Sequence, residues 1–206
     1  TLACYLGSAW IIGKILEKKG EDRNLFGIAF FALNPLILIE GLVSGHNEIV
    51  MVFLALAGIY LLVSKKTLAS YLFLFLSIGI KFSTVVFLPL FICVSLLSVI
   101  KKKVSSESIF TWALILTVLS VMATSFAAGQ NKNPEIQPWY LIPLVAFSPL
   151  FNKHKIVSQM VIATSIGMLF SYFSFLKVGQ WPKDIVQLKI VILGVSLGIG
   201  IIAGRL

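Results

Sequence analysis

Long apolar stretches alternate with short polar or basic connections along almost the whole chain. Crossing a hydrocarbon layer of about 30 Å takes a helix of about 20 apolar residues, and most stretches approach that length, although several are shorter. The pattern therefore predicts an all-α fold, a polytopic transmembrane helical bundle of about eight or nine spans. The predicted spans are residues 2–16, 25–43, 47–63, 68–80, 83–99, 109–126, 138–151, 156–176 and 188–204.

The apolar stretch 68–100 decides the predicted topology. It is too long for one comfortable helix, yet both of its flanks are basic, with lysines at 65–66 and at 101–103. Short cytoplasmic loops carry the excess of Lys and Arg, so an even number of crossings satisfies both flanks. We therefore predict two helices joined by a turn at residues 80–83.

This pairing puts most of the 17 basic residues on the cytoplasmic side and leaves four turns on the outer side. Those turns are residues 44–47, 80–83, 127–137 and 177–187. Three of them hold the densest polar and aromatic chemistry in the chain. We therefore expect the active site of an integral, multi-pass membrane protein to face outward.

Composition supports a membrane protein, with 58% hydrophobic residues, 12% charged residues and a mean hydropathy of +0.99. The net charge of +9 would suggest nucleic acid in a soluble domain, but the bases lie in short clusters between apolar stretches. The excess of Lys and Arg that is typical of cytoplasmic loops in membrane proteins explains these clusters, so no nucleic-acid partner is predicted. Cys4 and Cys93 lie within apolar stretches and lack metal-site spacing, so neither a disulfide framework nor a metal is predicted, and no cofactor is implied.

The chain opens at Thr1 and is apolar from Leu2 onward, without a basic leader or a cleavage site. We interpret it as a C-terminal fragment that lacks upstream spans. Its polar connections are too short to bury a core of their own. Residues 1–206 are therefore predicted to form a single transmembrane domain.

Polar residues interrupt the apolar sequence most conspicuously between Asn34 and Met51. Polar groups within a membrane are costly and mark functional sites by default. Pro35 lacks an N–H group and clashes with the preceding turn, so it either kinks a helix or begins one. A kink is the plainer interpretation, and the Asn34 side chain could satisfy the backbone groups that the kink frees.

Glu40, His46, Asn47 and Glu48 surround a predicted glycine-containing turn at the membrane surface. Asn47 or Ser44 could cap the following helix, whose N-terminus offers N–H groups and a partial positive charge to a phosphate. His46 can respond to a bound dianion, and Glu48 can orient His46 or a sugar hydroxyl. A lone histidine is most often structural, which is the alternative interpretation.

Three further outward segments carry candidate chemistry. Lys81 is a solitary base at the predicted turn, where it either snorkels to the headgroups or pairs with a lipid-linked phosphate. Gln137, Trp139 and Tyr140 either form part of an interfacial belt or line a sugar or polyprenyl site. The segment that begins at Trp181 has a similar composition, and we interpret it as an interfacial anchor.

The residues that carry these features resemble a known family. NPLILIEGLVSGHNEIVMVFLALAGIYLL resembles the "NP-L-E-G-HN-(D/E)" segment of the GT-C superfamily of polyprenol-phosphate-sugar-dependent glycosyltransferases. It is most similar to the prokaryotic α-mannosyltransferases that use polyprenyl-phosphate mannose. SIGIKFSTVVFLPLF is similar to that family's short helix pair with a lysine at its turn, and QPWYLIPLVAFSPL to its "PWY-L-L-P" helix start. The resemblance covers roughly residues 25–151.

The resemblance implies a GT-C-like bundle with an outward-facing pocket in a prokaryotic plasma membrane. It implies inverting transfer of a hexose, specifically mannose, from a polyprenyl-phosphate donor to a glycolipid or glycan acceptor. In such enzymes an Asp or Glu side chain in the first outward loop removes the proton of the acceptor hydroxyl. We expect that loop to lie upstream of Thr1. The residue that acts as the general base is therefore unknown. The residues assigned to donor phosphate and sugar are Glu40, His46, Asn47, Glu48 and Lys81, with Gln137, Trp139 and Tyr140 as second candidates.

Two other function classes remain open at the level of sequence. A secondary transporter or lipid-carrier flippase would use Glu40 and Lys81 as coupling or substrate-binding groups near the midplane. This chain instead clusters its polar residues at outward turns and shows no convincing internal repeat. A noncatalytic membrane subunit that supports a partner is the third class, because the expected base is missing.

Overall fold

The computed structural model describes residues 1–20, 24–102, 104–129, 135–151, 155–180 and 184–206. Across these ranges the chain forms helices and no strand, which confirms the all-α class predicted from the sequence. The α-helices are α1 (Leu2–Lys18), α2 (Asn24–Ala32), α3 (Glu48–Val63), α4 (Thr67–Ile80), α5 (Leu88–Val99), α6 (Ser106–Ala128), α7 (Ile142–Phe147), α8 (Lys155–Leu169), α9 (Ser171–Val178) and α10 (Ile185–Arg205).

Shorter helical segments lie between several of these helices. A π-helical segment, Ile37–Val43, precedes α3, and a 3₁₀ segment, Phe82–Phe87, runs directly into α5. Two more 3₁₀ segments, Pro138–Leu141 and Ser148–Phe151, flank α7. Irregular helical turns of this kind often mark functional positions, and the first three adjoin the polar cluster described below.

The structure does not confirm the number of spans that the sequence pattern suggested. By length and composition, four helical runs can cross a membrane within the described residues, or five if one bent pair is a single span. The four runs are Phe82–Val99, Ser106–Ala128, Lys155–Lys177 and Ile185–Arg205. The estimate of eight or nine spans is not confirmed, because α3 and α4 have only 16 and 14 residues. At 1.5 Å per residue these two helices are about 24 and 21 Å long.

The bent pair joins α2 to the π-helical segment at an angle of 63°. Asn34 lies buried at this bend, where its amide oxygen accepts a hydrogen bond from the Leu36 N–H at 3.0 Å. Its amide nitrogen donates to Ser165 Oγ of α8, also at 3.0 Å. The predicted kink at Asn34-Pro35 is confirmed, and the asparagine both satisfies a freed backbone donor and ties the bend to α8.

One apolar core holds the helices together, and α3 lies at its centre. Ile49, Val52, Leu56 and Ile59 of α3 are completely buried, and α3 packs against α1, α4 and α7. Side chains in such a core sit in single, close-packed arrangements. The N-terminus of α3 is therefore held in a fixed position, which matters because it carries Glu48.

Helices α8 and α10 approach each other closely at two glycines of α10. A Cβ atom added at Gly200 would lie 2.4 Å from the Cα atom of Met160, and one added at Gly204 would lie 2.5 Å from that of Ile156. Small residues at membrane helix contacts allow backbones to approach in this way. The backbone of α8, rather than a movable side chain, occupies the space beside both glycines.

We expect Gly200→Ala to lower the free energy of unfolding by about 1–3 kcal/mol, because overpacked contacts force the backbone to shift. Gly198→Ala in the same helix is the matched control, since nothing lies within 4 Å of its added Cβ. That variant should be neutral or more stable by up to about 1 kcal/mol, because alanine favours a helix over glycine. Thermal unfolding in detergent, followed by circular dichroism, checks both. Equal stability of the two variants would contradict the close approach.

Candidate substrate-binding site

The turn before α3 is built by the π-helical segment and by Gly45. Gly45 has a φ of +67°, a left-handed conformation that glycine adopts without cost. The His46 N–H donates to the Glu40 carbonyl oxygen at 3.1 Å across this turn. Asn47 occupies the N-cap position of α3, but its side chain makes no capping hydrogen bond, so the predicted side-chain cap by Asn47 is wrong.

Glu40, His46 and Trp139 form the first cluster of the site. The His46 Nε2 atom lies 3.1 Å from Glu40 Oε2, and the Glu40 side chain is buried while His46 remains partly exposed. The imidazole stacks on the Trp139 indole, with ring centroids 4.2 Å apart and an interplanar angle of 19°. The phenol of Tyr172, which sequence reasoning missed, interacts with the same carboxylate. The Glu40 carboxylate thus fixes one nitrogen of the His46 ring, and the Trp139 indole covers one face of that ring.

Glu48, Lys81 and Tyr140 form the second cluster. The Lys81 ammonium pairs with the buried Glu48 carboxylate and lies 4.7 Å from the centroid of the Tyr140 ring. A cation over an aromatic face is attracted by the ring, more strongly where water is excluded. The sequence placed these three residues in three separate segments, and the fold brings their side chains into contact.

A hydrogen-bonded network fixes the backbone that presents Lys81. The single Ser77 hydroxyl hydrogen is shared between the Met51 carbonyl oxygen at 2.9 Å and Thr84 Oγ1 at 3.1 Å, and the Thr84 hydroxyl donates to the Lys81 carbonyl oxygen at 3.2 Å. Lys81 itself is extended and separates the end of α4 from the 3₁₀ segment, within the stretch 80–83 where the sequence predicted a turn. Ser77 and Thr84 are buried, so their hydroxyls hold the turn against α3.

Gln137 is attached to α10 rather than to the two clusters. Its amide nitrogen donates to the Glu135 carboxylate, and its amide oxygen accepts from Lys189 Nζ at 2.7 Å. Sequence reasoning missed the role of Lys189, although a lysine inside the predicted span 188–204 is a detectable signal, and the structure buries that side chain. Gln137 therefore positions the segment that leads to Trp139, and no described contact joins its side chain to His46 or Lys81.

A cavity of about 430 Å³ opens between the two clusters. It is lined by Ser44, Gly45, His46, Asn47, Glu48, Ile80 and Lys81. Of the eight residues assigned from sequence, seven lie at this cavity or contact a residue that lines it, and Gln137 does not. Residues 181–183, which belong to the predicted interfacial anchor, lie outside the described residues. Within the described residues, no group of three or more His, Cys, Asp or Glu side chains could hold a metal.

These contacts define the class of protein. It is an all-helical chain, compatible with a multi-pass membrane protein, in which two pairs of acidic and basic side chains and two aromatic rings surround an open cavity where several helices begin and end.

Residues 1–97 match the family model described as Alpha-(1->6)-mannopyranosyltransferase, N-terminal domain, the MptA_B family. The match includes Glu40, His46, Asn47, Glu48 and Lys81, and it supports a mannosyltransferase of this type, as the resemblance seen in the sequence implied. No match to the chain was found among curated proteins or among solved structures.

Proposed function

We propose that this chain binds a polyprenyl-phosphate-linked mannose and transfers the sugar to a glycolipid or glycan acceptor on the outer face of a prokaryotic plasma membrane. The observation that carries the proposal is the convergence of the Glu40–His46 and Glu48–Lys81 pairs on one cavity. The match of residues 1–97 to a mannopyranosyltransferase family supports the sugar and the reaction class.

Lys81 is suited to hold the donor phosphate. An ammonium group has three N–H donors, and Glu48 and the Tyr140 ring together leave donor capacity for a phosphate oxygen. The Glu48 carboxylate keeps the ammonium in place at the edge of the cavity. The α3 N-terminus, which begins beside Lys81, adds N–H groups and a partial positive charge.

The chemistry explains why fixed positive groups are needed. In inverting transfer, an acceptor hydroxyl oxygen attacks the anomeric carbon from the face opposite the phosphate. The bond between that carbon and the phosphate oxygen breaks, and its electron pair leaves with the polyprenyl phosphate. Donors that are already oriented stabilise this developing negative charge most effectively. The hydroxyl proton goes to a base, and we assign that role to none of the described residues.

The aromatic residues are suited to the sugar. Trp139 stacks on His46 and meets Tyr140 edge-on, with centroids 6.0 Å apart, so both rings are held at the cavity edge. Aromatic rings provide a rigid apolar surface beside polar groups. Asn47, which is exposed at the cavity, offers an amide to sugar hydroxyls.

The test is transfer of radiolabelled mannose by membranes that contain the full-length gene product. Three donors are compared, namely polyprenyl-phosphate mannose, polyprenyl-phosphate glucose and a nucleotide-linked mannose, with membranes sealed in both orientations. The proposal expects transfer from the first donor only, on the outer face. Transfer from the nucleotide donor would contradict the lipid-phosphate assignment. Movement of intact donor across the membrane without release of polyprenyl phosphate would favour a flippase.

A further inference from the structure

We propose that the opposite end of the bundle carries a second binding site, which takes a phosphate group attached to an apolar or soluble moiety. The site lies where two helix junctions come side by side, the junction between α3 and α4 and the junction between α5 and α6. It is separate from the candidate substrate site, because the 16-residue α3 runs from Glu48 at one end to Val63 at the other. That helix is about 24 Å long.

A groove of about 540 Å³ lies between these junctions. Among the described residues, its lining combines apolar side chains, hydroxyl groups and three lysines, Lys65, Lys101 and Lys102, and includes no acidic side chain. Within the described part of the chain, none of these lysines forms an ion pair with a carboxylate. The groove therefore concentrates positive charge around a concave surface, as a phosphate-binding site requires.

The backbone presents two of the lysines in the same way. Lys65 and Lys101 each lie two residues after the last residue of a helix, α3 and α5 respectively, and both have a left-handed conformation, with φ of 61° and 56°. The N–H groups of Lys66 and Lys102 then bond back to the carbonyl oxygens of Leu61 and Leu97. This is the Schellman pattern, in which glycine is the usual residue. Two lysines thus occupy positions that favour glycine, and their backbones are fixed by the turn.

The remaining lining provides both polar donors and an apolar floor. Thr67 and Ser106 are the first residues of α4 and α6, where helix N–H groups lack partners within the helix. Val63, Val94 and Ile109 form apolar walls, and a 3.2 Å hydrogen bond between the Tyr71 hydroxyl and Ser95 Oγ ties α4 to α5 beside the groove. Phosphate oxygens match the lysines and hydroxyls, and an acyl chain matches the valines. The headgroup of an anionic phospholipid combines both features.

An alternative interpretation is that these lysines only set the orientation of the helices in the membrane, as basic residues in cytoplasmic loops do, and bind no ligand. The two interpretations differ in which lysines matter. Orientation depends on the number of basic residues in the loops, whereas ligand binding depends on the particular residues that line the groove.

The experiment uses the full-length protein in detergent and native mass spectrometry, with dioleoylphosphatidylglycerol as the anionic lipid and dioleoylphosphatidylcholine as the zwitterionic comparison. The test variant is Lys65→Asn, Lys101→Asn and Lys102→Asn together, since asparagine tolerates the left-handed conformation. The control removes the same charge near the ends of other helices, with Lys14→Asn, Lys155→Asn and Arg205→Asn. Glycerol 3-phosphate serves as a soluble competitor.

The proposal expects the wild type and the control to bind phosphatidylglycerol alike, and the test variant to bind it about 30-fold more weakly. Competition by millimolar glycerol 3-phosphate identifies a soluble phosphate ester as the ligand, and absence of competition identifies the lipid. Equal loss in both triple variants, or no loss in the test variant, overturns the site. If the test variant fails to fold, Lys102→Asn alone should weaken lipid binding about threefold, and unchanged binding overturns the site equally.

Discussion

Replacing Lys81 with methionine is expected to lower mannosyl transfer by about 100-fold or more, which corresponds to about 2.7 kcal/mol of transition-state stabilisation. Methionine keeps much of the apolar length of lysine and removes the ammonium that faces Glu48 and the Tyr140 ring. The polyprenyl phosphate would then leave without its nearest fixed positive charge. Initial rates of transfer from polyprenyl-phosphate mannose, measured in membranes with equal amounts of protein, check the loss.

The same variant should also be less stable, because it leaves the buried Glu48 carboxylate without its partner. Breaking a buried pair by removing one partner costs about 3–5 kcal/mol. Adding Glu48→Gln should restore most of the unfolding temperature, since the amide carries no charge, but it should not restore transfer. Recovery of transfer in the double variant would show that Lys81 acts only through stability. Lys177→Met, which changes an exposed lysine of α9, serves as the control for both measurements.

Replacing His46 with alanine is expected to lower transfer by about 30- to 100-fold, because it removes a donor from the cavity and the ring on which Trp139 stacks. Glu40→Gln should cost less, about tenfold, because Glu40 is buried and acts by orienting the imidazole. Steady-state kinetics with the lipid-linked donor measure both losses, and Glu17→Gln, at an exposed acid of α1, is the matched control.

The double variant of Glu40 and His46 separates two interpretations of this pair. If Glu40 works only through His46, the double variant should be no slower than His46→Ala alone. If the two losses multiply, Glu40 acts independently, for instance through Tyr172. The first outcome supports Glu40 as a positioning residue, and the second contradicts it.

Some contacts of the candidate site could be predicted from the sequence, and others could not. Glu40, His46, Asn47 and Glu48 are close in sequence around a glycine turn, so their proximity followed from local reasoning. The stacking of Trp139 on His46 joins residues that are 93 positions apart, and no periodicity in the sequence encodes that contact. The hydrogen bond from Lys189 of α10 to Gln137 joins residues that are 52 positions apart, and the sequence could not show it.

The alternation of apolar and polar stretches determined that the chain is all-helical, where its helices lie, and that Asn34-Pro35 bends one of them. These features depend on local backbone and side-chain preferences, which a sequence displays directly. Tertiary packing decided which charges meet, because Lys81 reaches Glu48 only when α3 and α4 lie side by side. It also decided the groove at the opposite end of the bundle, because two helix junctions must pack against each other before their lysines share one surface.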